Sequence, residues 1–111
     1  MKSIITKLSG VTFKDAQKNI KTFGRPDIGS FALVREPNNA FDPNAIRVTV
    51  AGVIHLGYLP RDVAKELAPL MDAGRQLMAF FFSRNVSARH DTVGLTVEIR
   101  EVPEKEDGQG R

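Results

Sequence analysis

The chain has 111 residues, 41% of them hydrophobic and 26% charged, with a net charge of +3 and no cysteine. That length supports one modest core. The missing thiols exclude disulfides, thiolate metal sites and a cysteine nucleophile, and no segment approaches the ~20 apolar residues of a membrane helix.

Met1 to Lys7 is interrupted by polar groups too early for a secretory core, so the expectation is a soluble cytoplasmic protein. Ile4 to Phe13 reads as a first strand, with Gly10 as a bulge or close-approach point. Lys14 to Asp27 is polar and reads as a loop marked by Gly24, Pro26 and Asp27. Ser30 to Arg35 is apolar on both parities, as in a strand inside a small barrel. Ala45 to Val50 alternates, with Ile46, Val48 and Val50 inward and Arg47 and Thr49 outward. Ala51-Gly52 is a two-residue turn that returns the chain as Val53 to Leu59.

Pro60 suits a helix entry, and Val63, Leu67, Leu70 and Met71 share one helical face. Pro69 predicts a kink or break before Met71, and Gly74 ends the helix. Leu77 to Phe82 and Val93 to Val102 are the last two strands, joined by a polar loop from Ser83 to Thr92. Residues 103–111 read as an acidic, disordered tail following a domain of residues 1–102. Six short strands with one or two short helices make an all-β or β-rich small barrel, of which the oligonucleotide-binding fold is one architecture.

Charge is spread unevenly. The last eleven residues carry −2 and the preceding hundred +5. A basic body with an acidic tail points to a polyanionic partner, although a balance of this size is also ordinary solubility charge.

Catalytic patterns are missing. The two histidines, His55 and His90, have no metal-ligand spacing, and there is no nucleophile elbow, phosphate loop or dinucleotide fingerprint. His55 reads as a surface or satisfied strand histidine. Asp42 and Asn44 lack the glycine and the terminal glutamate of a calcium loop. The expectation is a non-enzyme without metal or cofactor.

The densest signal is Arg35 to Ile46, followed by Gly57-Tyr-Leu-Pro-Arg61. Pro37 and Pro43 stiffen the ends of the first stretch, and Asn38 and Asn39 suit Asx-turns whose amides also donate to phosphates or bases. Phe41 has two readings: a ring that stacks on a nucleobase, or a plug for one end of the barrel. Tyr58 shares parity with Ile54 and Leu56, but its hydroxyl needs a partner, and Gly57 beside it allows close approach of a backbone or ligand. Arg61, a cation at a helix start, fits a bound anion or plain solvation.

Gly10-Val-x-Phe13, Leu33-Val-Arg-Glu-Pro-Asn-Asn-x-Phe-Asp-Pro-Asn-Ala-Ile-x-Val48, Gly57-Tyr-Leu-Pro-Arg61 and Leu70-Met-Asp-x-Gly74 together resemble the HIRAN domain, over about residues 8–100. The likeness is to the stand-alone bacterial or phage type. It implies a modified oligonucleotide-binding fold of a DNA-repair setting that grips the 3′ end of single-stranded DNA. By the same resemblance, Phe13 and Phe41 hold terminal bases and Asp42 contacts the 3′-hydroxyl. Asn39, Tyr58 and Arg61 lie where the strand is contacted, and His90 adds a further ring. Thr12 replaces an arginine of the eukaryotic pattern, and both aromatics are Phe rather than Tyr, which keeps stacking and removes hydroxyl hydrogen bonds. Residues 14–28 form an insertion that extends or covers the groove. A carboxylate such as Asp42 in a basic groove repels an internal phosphate yet accepts a hydrogen bond from a free terminal hydroxyl. The alternative is a protein-interaction module that docks a nuclease or helicase through Phe41 and Tyr58.

Overall fold

The computed structural model describes residues 1–86 and 91–103. Six strands form one antiparallel sheet: β1 (Ile4–Lys7), β2 (Ser30–Arg35), β3 (Ile46–Val50), β4 (Ile54–Tyr58), β5 (Leu77–Val86) and β6 (Val93–Glu101). Their spatial order is β1-β6-β5-β2-β3-β4. The sheet coils into a half-barrel around Phe31, Ile46, Val48, Leu56, Leu95, Val97 and Ile99, all fully buried. Two helices complete the fold, α1 (Ala16–Phe23) and α2 (Arg61–Asp72).

The two ends of the sheet meet at one point. Ser9 and Tyr58 form an isolated antiparallel bridge, with Ser9 N donating to Tyr58 O at 2.8 Å and Tyr58 N to Ser9 O at 2.9 Å. This approach depends on Gly57. Its φ is +153°, and a Cβ there would lie 2.9 Å from the Ser9 carbonyl oxygen. The close approach read from the sequence is thus a backbone closing the barrel.

The first strand is shorter than its apolar pattern suggests. It ends at Lys7, Leu8 still donates to Leu95 O at 2.9 Å, and the chain then turns at Gly10 (φ +64°). Phe13 therefore lies in a turn and not in a strand.

The segment from Lys14 to Asp27 is not a loop. It contains α1, with Ala16 and Ile20 fully buried and Phe23 packed against the core. Those three apolar positions, spaced four and three apart, give a narrow helical stripe that the surrounding Lys, Gln and Asn obscure. The helix packs on β4 and β6. Gln17 fixes it there, donating to Val11 O at 2.7 Å and Val93 O at 2.9 Å and accepting from Val93 N at 2.8 Å. Asn19 donates to His55 O at 2.8 Å. The insertion thus covers the barrel; only Lys14 of its residues lines the cleft described below.

Three further expectations are corrected. Pro69 does not break α2, which runs on to Asp72. The lost hydrogen bond is to the Lys65 carbonyl on the exposed side, where water can serve instead. Thr49 is fully buried and not outward: it lies between Ala32 of β2 and His55 of β4, and its hydroxyl donates to Ala32 O at 3.3 Å. Strand β5 runs past Phe82 to Val86, with a register shift between Phe81 and Ser83 that leaves Phe82 exposed.

The β3–β4 turn matches its sequence signal. Ala51 (φ +57°) and Gly52 (φ +80°) both adopt the left-handed conformation of a type I′ turn, and Val53 N donates to Val50 O at 3.2 Å. No helix among the described residues is long and apolar enough to cross a membrane. The expected acidic tail lies outside the described residues apart from Pro103.

Candidate nucleic-acid interface

Loop 36–45 joins β2 to β3 and is held by its own side chains. Asn39 Oδ1 accepts from Phe41 N at 2.8 Å and from Asp42 N at 3.1 Å, an Asx-turn that sets both residues. Asp42 Oδ1 accepts from Asn44 N at 2.9 Å. Arg35 ties the loop to the end of α2: its guanidinium donates to both Asp72 oxygens, at 2.9 and 3.1 Å, and to the carbonyls of Pro43 and Ala45, at 3.1 and 3.0 Å. This fork-on-carboxylate pairing raises the Arg35 pKa and lowers that of Asp72. Backbone freedom is removed before any ligand arrives, which lowers the ordering cost of binding.

The loop overhangs a cleft of about 570 Å³ lined by Phe13, Asn39, Phe41, Asp42, Tyr58 and Arg61, together with Ser9, Gly10, Lys14, Glu36, Ala40, Ala45 and Leu59. Six of the seven residues singled out from the sequence therefore meet at one place. The seventh, His90, lies outside the described residues. Phe41 is 84% exposed and so does not plug the barrel; Phe13 is 50% exposed. These two rings are the large apolar surfaces the cleft offers.

Asp42 and Arg61 are neighbours. Arg61 Nη2 donates to Phe41 O at 2.9 Å, and its Nε lies 3.6 Å from Asp42 Oδ2. With Oδ1 held by the loop, Oδ2 is the oxygen of Asp42 left for a ligand. Asn39 is more committed than its sequence role suggests. Its oxygen holds the Asx-turn and its Nδ2 donates to Glu36 Oε1 at 3.0 Å, leaving one N–H for a ligand.

Glu36 is the residue that sequence reasoning missed. Its Oε1 also accepts from the Tyr58 hydroxyl at 3.0 Å, and its Oε2 lies 3.6 Å from Arg47 Nε. The partner that the Tyr58 hydroxyl requires is this carboxylate. Burial and then the Glu36 hydrogen bond raise the Tyr58 pKa. A glutamate beside Pro37 carries no sequence signal of such a role, because its partners come from β3, β4 and the loop. Lys14, also missed, places its ammonium 5.3 Å from the centre of the Phe13 ring.

The lining is not basic, contrary to the groove expected around Asp42. Lys14 and Arg61 are matched by Glu36 and Asp42.

Behind the cleft lies His55, which is neither at the surface nor satisfied. It is 7% exposed, and neither ring nitrogen has a hydrogen-bond partner among the described residues. Its ring meets Phe13 edge-on at 6.2 Å and Tyr58 at 5.4 Å. Burial, reinforced by Arg47 and Lys14, lowers its pKa and favours the neutral form. Among the described residues no group of three or more His, Cys, Asp or Glu is placed to hold a metal ion.

The chain is similar to known proteins. The family model of the HIRAN domain matches residues 2–101. The chain is 56% identical over 46 residues to a Fanconi-associated nuclease 1 homolog of Oryza sativa subsp. japonica, a match covering 39% of this chain and 5% of that protein. It is 49% identical over 41 residues to the helicase-like transcription factor of Oryctolagus cuniculus, covering 37% and 4%. The chain thus spans a small fraction of its curated relatives. A crystal structure of a Lactobacillus plantarum protein superposes with a TM-score of 0.67 at 24% identity, covering 88% of this chain and 95% of that one. The HIRAN domain of human HLTF superposes with a TM-score of 0.57 at 22% identity, covering 86% and 74%. Both superpositions carry the fold, and with the match over residues 2–101 the chain belongs to the HIRAN domain family.

Proposed function

We propose that residues 1–102 form a non-catalytic DNA-binding module that takes a single strand by a free 3′-hydroxyl end. The observation that carries this reading is the pairing of two exposed rings, Phe13 and Phe41, with the carboxylate of Asp42 in one braced cleft. The rings stack on the terminal bases, each worth ~1–3 kcal/mol. Asp42 Oδ2 accepts the hydrogen bond of the terminal hydroxyl, and Arg61 beside it neutralises the nearest phosphate. Tyr58 and Asn39, both held by Glu36, shape the wall.

A terminal phosphate in place of the hydroxyl sets an anion against Asp42 and leaves the carboxylate unpaired. Losing a charged hydrogen bond costs ~1.5–3 kcal/mol, so affinity falls about ten- to a hundredfold. Fluorescence anisotropy with strands bearing a 3′-hydroxyl, a 3′-phosphate or a 5′-phosphate tests this. The 5′-phosphate should have little effect, and equal affinity for both 3′ ends would refute end capture.

The balanced charge of the lining favours a second reading, in which the cleft docks a nuclease or helicase partner around Phe41 and Tyr58. Binding to a protein partner that does not fall steeply with salt, beside weak binding to single strands, is its signature.

A further inference from the structure

The body of the chain carries +5, yet the cleft lining is electrically balanced. The uncompensated charge therefore sits elsewhere, and part of it forms a row. Every described arginine except Arg84 pairs with a carboxylate. The lysines among the described residues have no such partner. Three of them, Lys14, Lys18 and Lys21, succeed one another at intervals of four and three along α1 and its entry, all exposed. Arg84 of β5 joins the row, its Nη1 reaching Lys21 O at 3.5 Å. Asp15 is the one acid between Lys14 and Lys21 and forms no ion pair with any of the row; Arg25 further on is engaged by Asp27 at 3.3 Å. The row starts inside the cleft, because Lys14 lines it beside Phe13.

We propose that Lys14, Lys18, Lys21 and Arg84 form a phosphate track that carries the backbone of the single strand away from the cleft. The inference rests on the reading of the cleft given above. An α-helix of this length extends about 12 Å, which matches three to four stacked nucleotides at ~3.4 Å each. End recognition and affinity are then separated in space: the neutral cleft reads the terminus, and the insertion supplies the electrostatic attraction. Without the track, the balanced cleft gives a strand little reason to bind more tightly as it lengthens.

Oligothymidylates of about three and about ten nucleotides test the division, bounded by the ~4–16 nucleotides usual for one such fold. The wild-type chain binds the longer strand more tightly and with a steeper salt dependence. Lys18→Ala/Lys21→Ala leaves affinity for the short strand unchanged and abolishes the gain with length. Its salt slope on the long strand falls by ~1.4, so the affinity lost between roughly 50 and 200 mM salt is about sevenfold smaller. Lys2→Ala/Lys7→Ala, which removes the same charge from the β1 side, retains the gain. The track is overturned, with the cleft reading intact, if the α1 variant keeps the gain or the β1 variant loses it equally. Failure of the wild-type chain to bind either strand overturns the cleft reading and the track together.

Discussion

Two polar segments interrupt the sheet, 14–28 and 36–45, and they are built on opposite principles. In the first, polarity is on one side only. Ala16, Ile20 and Phe23 turn inward and the lysines outward, so the segment becomes a helix whose stability derives from the core it covers. In the second, little is buried, and order comes from side chains bonded to their own backbone: Asn39 to Phe41 and Asp42, Asp42 to Asn44, Arg35 to Pro43 and Ala45. Composition alone does not separate them. What separates them is residue type, since short amides and carboxylates with flanking prolines compete for backbone hydrogens, whereas Lys and Gln leave the helical ladder intact.

The largest expected effect comes from breaking the first segment. Ile20 is fully buried between α1 and the barrel, and Ile20→Ala removes its burial and leaves a cavity, costing ~2–5 kcal/mol. Urea unfolding should show a lower midpoint at an unchanged m-value. A loss below about 0.5 kcal/mol would mean that α1 is not part of the cooperative unit.

Breaking the second segment should affect binding and leave folding alone. Phe41 is 84% exposed, so Phe41→Ala should leave the unfolding midpoint within about 0.5 kcal/mol while weakening single-strand binding by ~1–3 kcal/mol. Anisotropy and denaturation on the same preparation test the contrast. Destabilisation by Phe41→Ala comparable to that by Ile20→Ala would erase the distinction between the two segments.

The same contrast explains what the sequence disclosed. Strand β2 follows from an apolar run on both parities, β6 from period-two alternation, and β4 from the turn at Ala51-Gly52 that returns the chain, while α2 follows from its apolar stripe. Helix α1 was hidden because three apolar residues among polar ones are too few to stand out at the 3.6 period. The burial of Thr49 depends on its neighbours Ala32 of β2 and His55 of β4, and what flanks a strand is not a property of that strand alone. That Phe41, Asp42, Tyr58 and Arg61 meet in one cleft was legible because their motifs place unusual residue types in a polar loop and at the junction of β4 with α2. Glu36 and Lys14 were not, since Glu36 acquires its role from Tyr58 and Arg47, both distant in sequence, and Lys14 from a turn read as strand and loop.

His55 joins the two segments. Asn19 of α1 donates to its carbonyl, and its ring rests against Phe13 and Tyr58 at the back of the cleft. Burial among Arg47 and Lys14 holds its pKa below the ordinary histidine value of 6.5. The unfolded chain therefore takes up a proton at this site before the folded chain does. Stability from neutral His55 is fully present well above pH 6.5 and is lost as pH falls from there through the depressed folded value. The carboxylates whose pKa values are lowered, Asp72, Glu98 and Glu101, lose their contributions in more acid solution, as pH falls from the ordinary carboxylate range through their depressed values. His55→Phe keeps the ring contacts and deletes both unpartnered nitrogens, so it should flatten the stability profile between about pH 7 and 5. Unfolding midpoints measured across that window decide the matter. Equal slopes for the wild-type chain and His55→Phe would assign the acid sensitivity to another group and remove His55 as the link between helix and cleft.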